Sequence, residues 1–254
     1  MNIIVPIKMV PDLVEELSID PSGAALDTAW LRLILNEFDD HAIEQAILLK
    51  ERGGGEIMIV AAEAEGVDDI LYTSAAKGAD RLIKLTGEFG GGLNSHAIAR
   101  AMAAVIKSEI PDLILTGVQA HNDLDGQVGP LLAESLSMPY VGYVSGVKVE
   151  NKMATVKKEY PGGLLAEFLV ELPAVLGIQA SDEPPRYVAF SKVRQAMQTA
   201  KIEEQDIGAL DISGGVTVSR MFQPEVGERA EMLAGDAGEV ATRLVEIMQE
   251  IGVL

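Results

Sequence analysis

The chain has 254 residues, 48% of them hydrophobic, which is enough for one large domain with a sizeable core. Its net charge of −19 argues against nucleic acid, and the absence of cysteine and of any metal-binding histidine spacing argues against disulfides, thiol nucleophiles and metal sites. No apolar run could span a membrane and the first residues show no signal or transit pattern, so we expect a cytoplasmic protein that is not membrane-embedded.

The first half of the chain alternates short apolar runs with helical periodicity. Strands are predicted over residues 2–8, 56–61, 81–85 and 113–115, and helices over residues 41–52, 67–77, 95–108 and 126–137. This alternation predicts an α/β fold with a mostly parallel, doubly wound, Rossmann-like sheet and right-handed crossovers. Residues 11–30 have no clear period and are predicted to form a long loop over the carboxyl end of a strand.

Three loops should meet at one edge of this sheet. They follow Lys8, Ala61 and Thr116, each at the end of a predicted strand. Because ligands of parallel sheets bind beyond the carboxyl ends of the strands, we expect these loops to enclose one crevice.

The stretch over residues 112–139 combines a strand, a small polar loop and a helix start. The first N–H groups of a helix are unpaired and can receive a phosphate. Gly126 and Gly129 would let a ligand approach the backbone closely. An ordinary βα turn has the same local features, so a nucleotide site and a plain turn both remain open on this evidence.

The pattern changes after residue 140. Antiparallel strands joined by tight turns are predicted over residues 141–149, 153–159 and 164–171, and a further buried strand over residues 174–178. Residues 183–187 break the chain and precede a short predicted helix over residues 188–197. The acidic, Gly-rich residues 203–238 lack a core of their own and are predicted to lie on a partner, with disorder as the alternative. A terminal helix is predicted over residues 239–251.

Several short motifs follow one another in a recognisable order along the chain. They are Ile4-Val5-Pro6-Ile7-Lys8 with Pro11-Asp12, Leu35-Asn36-Glu37-Phe38 with Glu44-Gln45-Ala46, Lys77-Gly78-Ala79-Asp80-Arg81, Gly117-Val118-Gln119 with Gln127-Val128-Gly129, Gly162-Gly163, Leu172-Pro173-Ala174-Val175 and Pro185-Arg186-Tyr187. In their order and spacing these motifs resemble the beta subunit of electron transfer flavoprotein over nearly the whole chain. The resemblance implies a nucleotide-binding α/β domain over residues 1–198, including the antiparallel strands at about 140–171. It also implies a C-terminal extension over residues 199–254 that packs on an alpha subunit.

The resemblance implies a heterodimer whose alpha subunit holds most of a redox-active FAD. The heterodimer would accept electrons from a flavin dehydrogenase, such as an acyl-CoA or methylated-amine dehydrogenase, and pass them to another oxidoreductase. A membrane quinone oxidoreductase is one candidate acceptor. The beta subunit would be an electron carrier without catalytic residues, and no Ser-His-Asp, Cys-His, HExxH or P-loop pattern contradicts this. The alternative of another class is a stand-alone adenine-nucleotide-binding sensor, which the long segment after Gln198 disfavours.

The resemblance further implies a structural AMP in the crevice of this chain. Its site would involve Pro6, Asn36, Glu37, Phe38, Asp39, Ala62, Asn122, Asp123, Asp125, Gly126, Gln127, Val128, Gly129, Pro130, Leu131, Leu132 and Ala133. Val128 to Pro130, at a helix start, would meet the phosphate through backbone N–H groups. Leu13 and Phe38 fall where the family's beta subunit approaches the flavin of the other chain, and plain core packing is the alternative for Phe38.

The loop before this helix leaves two nucleotides to consider. Gln127-Val128-Gly129-Pro130 is similar to members that hold a second FAD in place of AMP and bifurcate electrons from NADH. Those members usually have Asp-Gly-Asp-Thr-Ala just before it, whereas this chain has Asp123 and Leu124 there. We therefore favour AMP over a second FAD.

The resemblance also implies that residues 184–198 form the family's partner-recognition loop. The docking residues would be Arg186, Tyr187, Phe190, Lys192 and Arg194. Phe190 lies at the position of the apolar anchor that enters the dehydrogenase, and the two basic side chains after it could steer an acidic partner. An amphipathic helix packed on its own subunit is the alternative.

Overall fold

The computed structural model describes residues 1–88, 94–124, 126–209, 211, 213–224, 230 and 232–254. The strands are β1 (Asn2–Ile7), β2 (Met9–Pro11), β3 (Leu33–Leu35), β4 (Glu56–Ala62), β5 (Arg81–Glu88), β6 (Leu113–Gly117), β7 (Tyr140–Glu150), β8 (Met153–Tyr160), β9 (Leu164–Glu171), β10 (Ala174–Ile178) and β11 (Ile202–Ala209). The helices are α1 (Glu37–Gly53), α2 (Val67–Lys77), α3 (Ser95–Glu109), α4 (Val128–Leu136), α5 (Phe190–Thr199) and α6 (Ala237–Glu250). Within this described part, nine strands form one sheet in the order β11-β5-β4-β1-β6-β10-β7-β8-β9, and β2 pairs with β3 separately.

The large sheet is parallel from β11 to β7 and antiparallel from β7 to β9. Every residue of β6 and β10 is buried, as expected for continuous apolar strands that are covered on both faces. Helices α1 and α2 contribute to the core on one face, and α3 and α4 contribute to the core on the other. The predicted Rossmann-like sheet with an antiparallel addition is therefore confirmed.

An edge strand that sequence analysis missed extends this sheet. β11 pairs in parallel with β5, so the first seven of residues 203–238, which were predicted to lie on a partner and to lack a core of their own, belong to the sheet of this chain. The strand signal is hidden by charge. Glu203 and Glu204 are exposed and form ion pairs with Arg81 (3.6 Å) and Lys84 (2.9 Å) of β5. An edge strand that lies half in water needs no apolar alternation, and charges there discourage pairing with other chains.

Most other predicted elements keep their place. The helix predicted over residues 188–197 runs from Phe190 to Thr199, and the helix predicted over residues 126–137 runs from Val128 to Leu136. The long loop predicted over residues 11–30 connects β2 to β3. Among the described residues, no helix is long and apolar enough to cross a membrane.

One buried carboxylate, that of Asp39, links the ends of β1 and β6. The chain connections leave these two strands in opposite directions. β1 pairs with β4 on one side and with β6 on the other, so a crevice opens beyond their carboxyl ends. Asp39, in the first turn of α1, accepts the Lys8 N–H at Oδ2 (2.8 Å) and the Gly117 N–H at Oδ1 (2.9 Å). Burial raises the pKa of Asp39 to about 7, against the opposing effect of these N–H donors. The carboxylate thus bridges the strand ends that border the crevice.

The buried Asp39 should make the stability of the fold depend on pH. Between its ordinary pKa of 3.8 and about 7, the folded chain keeps a proton that the unfolded chain releases, so the contribution of this group falls as pH rises. The unfolding free energy of wild type minus that of Asp39→Asn should therefore fall across this range, by up to about 1.4 kcal/mol per pH unit. Denaturant titrations at a series of pH values measure the difference, with the exposed Glu37→Gln as a control for charge. A difference that does not vary with pH would show that the N–H donors keep Asp39 ionised.

Candidate functional site

A cavity of about 510 Å³ opens beyond the carboxyl ends of β1 and β4. Its walls come from the loop between β2 and β3, from residues 62–64 after β4, from α3 and from the loop after β6. A second cavity, of only about 20 Å³, shares Ile7, Lys8, Ile98 and Met102 with it and continues under the end of β6. The three loops predicted to enclose a crevice do meet here.

The residues implied by the resemblance divide into two groups. Pro6, Asn36, Asp39, Ala62, Asn122, Asp123 and Val128 line one or the other cavity. The remaining members, Glu37, Phe38, Gly126, Gln127, Gly129, Pro130, Leu131, Leu132 and Ala133, lie in the first turn of α1 or at and around α4 without lining either cavity. Asp125 lies outside the described residues.

An ion pair and two hydrogen bonds fix the floor of the crevice. Lys8 Nζ lies 2.7 Å from Asp123 Oδ1, and both side chains are largely buried. Asp123 Oδ2 also accepts the Ala120 N–H (2.8 Å), and Asn36 Nδ2 donates to Gln119 O (2.9 Å). The Lys8 ammonium, which lines both cavities, is thus paired with a carboxylate of its own chain.

Polar atoms without partners face these cavities. Among the described residues, Thr116 Oγ1, Asn122 Oδ1 and the Tyr140 hydroxyl are buried and have no hydrogen-bond partner. Thr116 lines the smaller cavity and Asn122 the larger one. Buried polar groups are nearly always paired with protein or with ordered water, so both atoms keep bonding capacity for a water molecule or for a polar ligand. Asn122 was among the predicted site residues, whereas Thr116 was not, because its unpaired hydroxyl results from packing at the end of β6.

Gly129 is needed for packing within the chain. A Cβ at this position would lie 2.7 Å from Thr116 Oγ1 and 2.9 Å from Tyr140 Cε2, so the glycine lets the start of α4 pack directly on β6 and Tyr140. Tyr140 is enclosed by Gly142 and Gly177 as well, and burial raises its pKa to about 12. Gly126 has a φ of 115°, and a Cβ there would meet only Leu131 Cδ1, at 3.9 Å, so the glycine serves the turn before the helix through its backbone conformation. The close approach at Gly129 is therefore made by the chain itself.

The C-terminal extension reaches the mouth of the larger cavity. After β11 the chain crosses α3, where the Arg100 guanidinium donates to the carbonyl oxygens of Asp211 and Ser213. The Met221 N–H then donates to Gly23 O (2.7 Å) in the loop between β2 and β3, and Met221 lines the cavity. Sequence analysis did not place this segment at the crevice.

Exposed apolar side chains surround the same end of the sheet. Leu13 is 58% exposed, Phe38 is partly buried at the start of α1, and Trp30, the single tryptophan of the chain, is 93% exposed. The Asp12 N–H donates to Arg32 O (2.9 Å), which places residues around Leu13 and Trp30 side by side beyond β2 and β3. Trp30 was missed, although a lone tryptophan in a polar loop is a signal that sequence reasoning could have used.

The segment expected to dock a dehydrogenase leaves its two aromatic residues in solvent. Tyr187 is 91% exposed and Phe190 68% exposed, while Ala196 of α5 is buried against the body. The Arg194 guanidinium lies 5.2 Å from the centre of the Phe190 ring. Lys192 is also exposed. Arg186 differs, because its guanidinium is engaged by Glu44 and Glu51 of α1, and its hydrogen bond lowers the pKa of Glu51.

The last helix stands apart from the rest of the fold. Helix α6 begins at a capping box between Asp236 and Glu239, so its start is well defined. Within the described chain it has no buried residue, and Leu244, Met248 and Ile251 expose apolar surface. An amphipathic helix with an uncovered apolar face is typical of a segment that packs on another protein.

Comparison with known proteins adds a family to this geometry. A sequence model of the electron transfer flavoprotein domain matches residues 26–210. The "Electron transfer flavoprotein subunit beta" of Methylophilus methylotrophus is 32% identical to this chain, and that of Clostridium acetobutylicum is 31% identical, each over 98% of both chains. The "Caffeyl-CoA reductase-Etf complex subunit CarD" of Acetobacterium woodii is 32% identical, also over 98% of both chains.

These matches extend over the whole sheet, the crevice and the C-terminal extension. They agree with the order of short motifs in the sequence, and they fit the exposed terminal helix of a chain that works with another subunit. The chain belongs to the electron transfer flavoprotein family, as a beta subunit.

Proposed function

We propose that this beta subunit holds AMP in the crevice, borders the FAD of its alpha subunit with Leu13 and Phe38, and docks a flavin dehydrogenase through residues 184–198. The observation that carries the nucleotide site is the pair of buried, unpartnered atoms Thr116 Oγ1 and Asn122 Oδ1. Both lie at the carboxyl end of the sheet where nucleotides bind in this type of fold.

The start of α4 offers a phosphate site at the crevice that does not depend on a side-chain cation. Lys8 is paired with Asp123, so little positive side-chain charge is left for an anion. The start of α4 has no side-chain cap, and Val128 and Gly129 present N–H groups there while Pro130 has none to offer. A phosphate at this helix start would be held by the helix dipole and these N–H groups.

Assembly with an alpha subunit is supported by the uncovered apolar face of α6. In this proposal the C-terminal extension, residues 199–254, packs on the alpha subunit, while β11 at its start stays in the sheet of this chain. Electrons would enter from an acyl-CoA or methylated-amine dehydrogenase and leave to a further oxidoreductase, with a membrane quinone oxidoreductase as one acceptor. The chain itself carries out no bond chemistry in this role.

A second FAD is the competing ligand. Gln127-Val128-Gly129-Pro130 is the sequence feature that favours it, and one 32% identical relative is named as a subunit of a caffeyl-CoA reductase–Etf complex. A chain with a second FAD would take part in electron bifurcation from NADH. The nucleotide content of the assembled protein separates the two functions.

Nucleotide analysis of the heterodimer is the first test. The protein is produced together with its alpha subunit, denatured, and assayed for released FAD and AMP by chromatography. We expect one FAD and one AMP per heterodimer. Two FAD with no AMP would replace the plain carrier by the bifurcating function, and one FAD with no AMP would refute the AMP site.

Replacing Thr116 by Val tests the position of the nucleotide. The change keeps the volume but removes a buried hydroxyl that bonds nothing in this chain, so the stability of the nucleotide-free protein should stay equal or rise. The affinity for AMP should fall about three- to tenfold through loss of one hydrogen bond. Calorimetric titration measures affinity, and Thr155→Val on the distant strand β8 serves as the matched control. Equal affinity in Thr116→Val and wild type would rule out this placement.

Replacing Phe190 by Ala tests the docking segment. If Phe190 is a central anchor, reduction of the heterodimer by its dehydrogenase should slow by at least about tenfold, while FAD and AMP content stay unchanged. Stopped-flow reduction with a panel of acyl-CoA and methylated-amine dehydrogenases gives the rates. Tyr160→Ala is the control, because Tyr160 is also an exposed aromatic residue beside a cation, Lys158, and lies on β8 outside the docking segment. Equal rates for wild type and Phe190→Ala would exclude the docking role.

A further inference from the structure

The segment that leads into α5 is fastened to the outer side of α1. The Gln45 side chain, fully buried, accepts the Asp182 N–H (2.9 Å), and Arg52 donates to Asp182 Oδ2 (2.6 Å). His41 Nδ1 lies 2.9 Å from Ser181 Oγ. The chain is therefore held at residues 181 and 182, just before the two prolines at 184 and 185.

Arg186 makes the strongest of these attachments. Its Nε lies 3.0 Å from both carboxylate oxygens of Glu44, and Nη2 lies 2.8 Å from Glu44 Oε1. The backbone N–H of Arg186 also donates to Glu44 Oε2 (3.0 Å), so the main chain is fixed as well as the side chain. Glu44 is only 2% exposed. A buried carboxylate that receives all these bonds from one residue specifies where that residue must lie.

Glu51 supplies a second attachment for the same guanidinium. Nη1 donates to Glu51 Oε1 (2.7 Å) and Nη2 to Glu51 Oε2 (3.2 Å). All three guanidinium nitrogens are thus bonded to α1. Their two partners, Glu44 and Glu51, lie about two turns apart on this helix. This arrangement holds the guanidinium plane and leaves Arg186 poorly placed to contact another protein.

The exposed aromatic residues begin immediately after this attachment. Tyr187 and Phe190 project into solvent, and the chain is held again by Ala196, where α5 packs against α2. The aromatic pair therefore lies between two fixed points. A segment that is already ordered loses less conformational entropy when it binds than a free loop would.

We propose that Glu44 and Glu51, acting through Arg186, are positioning residues that hold Tyr187 and Phe190 in the orientation required for docking the dehydrogenase. Arg186 in this proposal touches the dehydrogenase at no point and works entirely within its own chain. The inference rests on the docking role proposed above for residues 184–198.

Charge offers a way to separate positioning from simple electrostatic steering. Residues 184–201 contain four basic residues and no acidic residue, in a chain with a net charge of −19, so the surface that receives them should be acidic. Removing the negative charge of Glu51 would then, by steering alone, speed association or leave it unchanged. Loosening the attachment of Arg186 would slow it. The two explanations predict opposite signs for the same substitution.

The test uses the intact heterodimer carrying Glu51→Gln, with Glu183→Gln as the matched control. Glu183 is exposed, lies in the same segment and loses the same charge, but its carboxylate takes no part in holding Arg186. Amide hydrogen exchange over residues 184–192 should be faster by about two- to fivefold in Glu51→Gln, as expected for loss of one partly exposed ion pair. The KM for the heterodimer with the dehydrogenase of the panel that reduces it fastest should rise by a similar factor, with kcat unchanged. Glu183→Gln should leave the exchange rate unchanged and should not raise KM.

A second variant keeps the charge of Arg186 and removes its forked geometry. Arg186→Lys cannot bond both carboxylates as a planar guanidinium does, so KM should rise as in Glu51→Gln. Unchanged exchange in Glu51→Gln, a KM that falls or stays equal, or a wild-type KM in Arg186→Lys would each overturn the proposal. If Phe190→Ala proves neutral, the docking role itself fails, and the exchange measurement still decides whether the two glutamates fix the segment.

Discussion

The double hydrogen bond of the Asp39 carboxylate is the contact on which the crevice depends. Parallel strands end in N–H groups that have no further partner in the sheet, and β1 and β6 separate at the point where their connections leave in opposite directions. Asp39 satisfies one N–H from each strand end with a single side chain. Gly117 is required at this contact, because a Cβ there would lie 2.3 Å from Asp39 Oδ1. The Asp39 carboxylate fills the gap between the strand ends, and no bulky side chain extends from there into the crevice.

Helix α1 connects this contact with the docking segment. Asp39 lies in its first turn at the crevice, and Glu44 and Glu51 lie on the same helix toward its other end. Twelve residues, or about 18 Å of helix, separate Asp39 from Glu51. The inner face of this helix is buried in the core, so one packed element carries both the carboxylate at the crevice and the two glutamates that hold Arg186.

How much of this could be predicted from sequence depends on the range of the interaction. The sheet, its antiparallel addition and the meeting of three loops follow from periodicity and connection rules, which are local or topological. The partner of Arg186 is Glu44, 142 residues away, and no spacing rule pairs them. Gly129 signals that something approaches the backbone, but only coordinates show that it is Thr116 and Tyr140. Strand β11 was not predicted, because an edge strand can be stabilised by ion pairs in place of apolar alternation.

The C-terminal extension crosses the mouth of the cavity, which bears on how long a ligand would stay bound as well as on its affinity. Met221 forms part of the cavity wall, and the chain beyond it continues to α6. The Met221 N–H is bonded to Gly23 O, so this part of the wall is tied to the loop between β2 and β3. In the proposed assembly, a ligand of the crevice would leave only when this contact opens, so its residence time would depend on that opening rate as well as on its affinity.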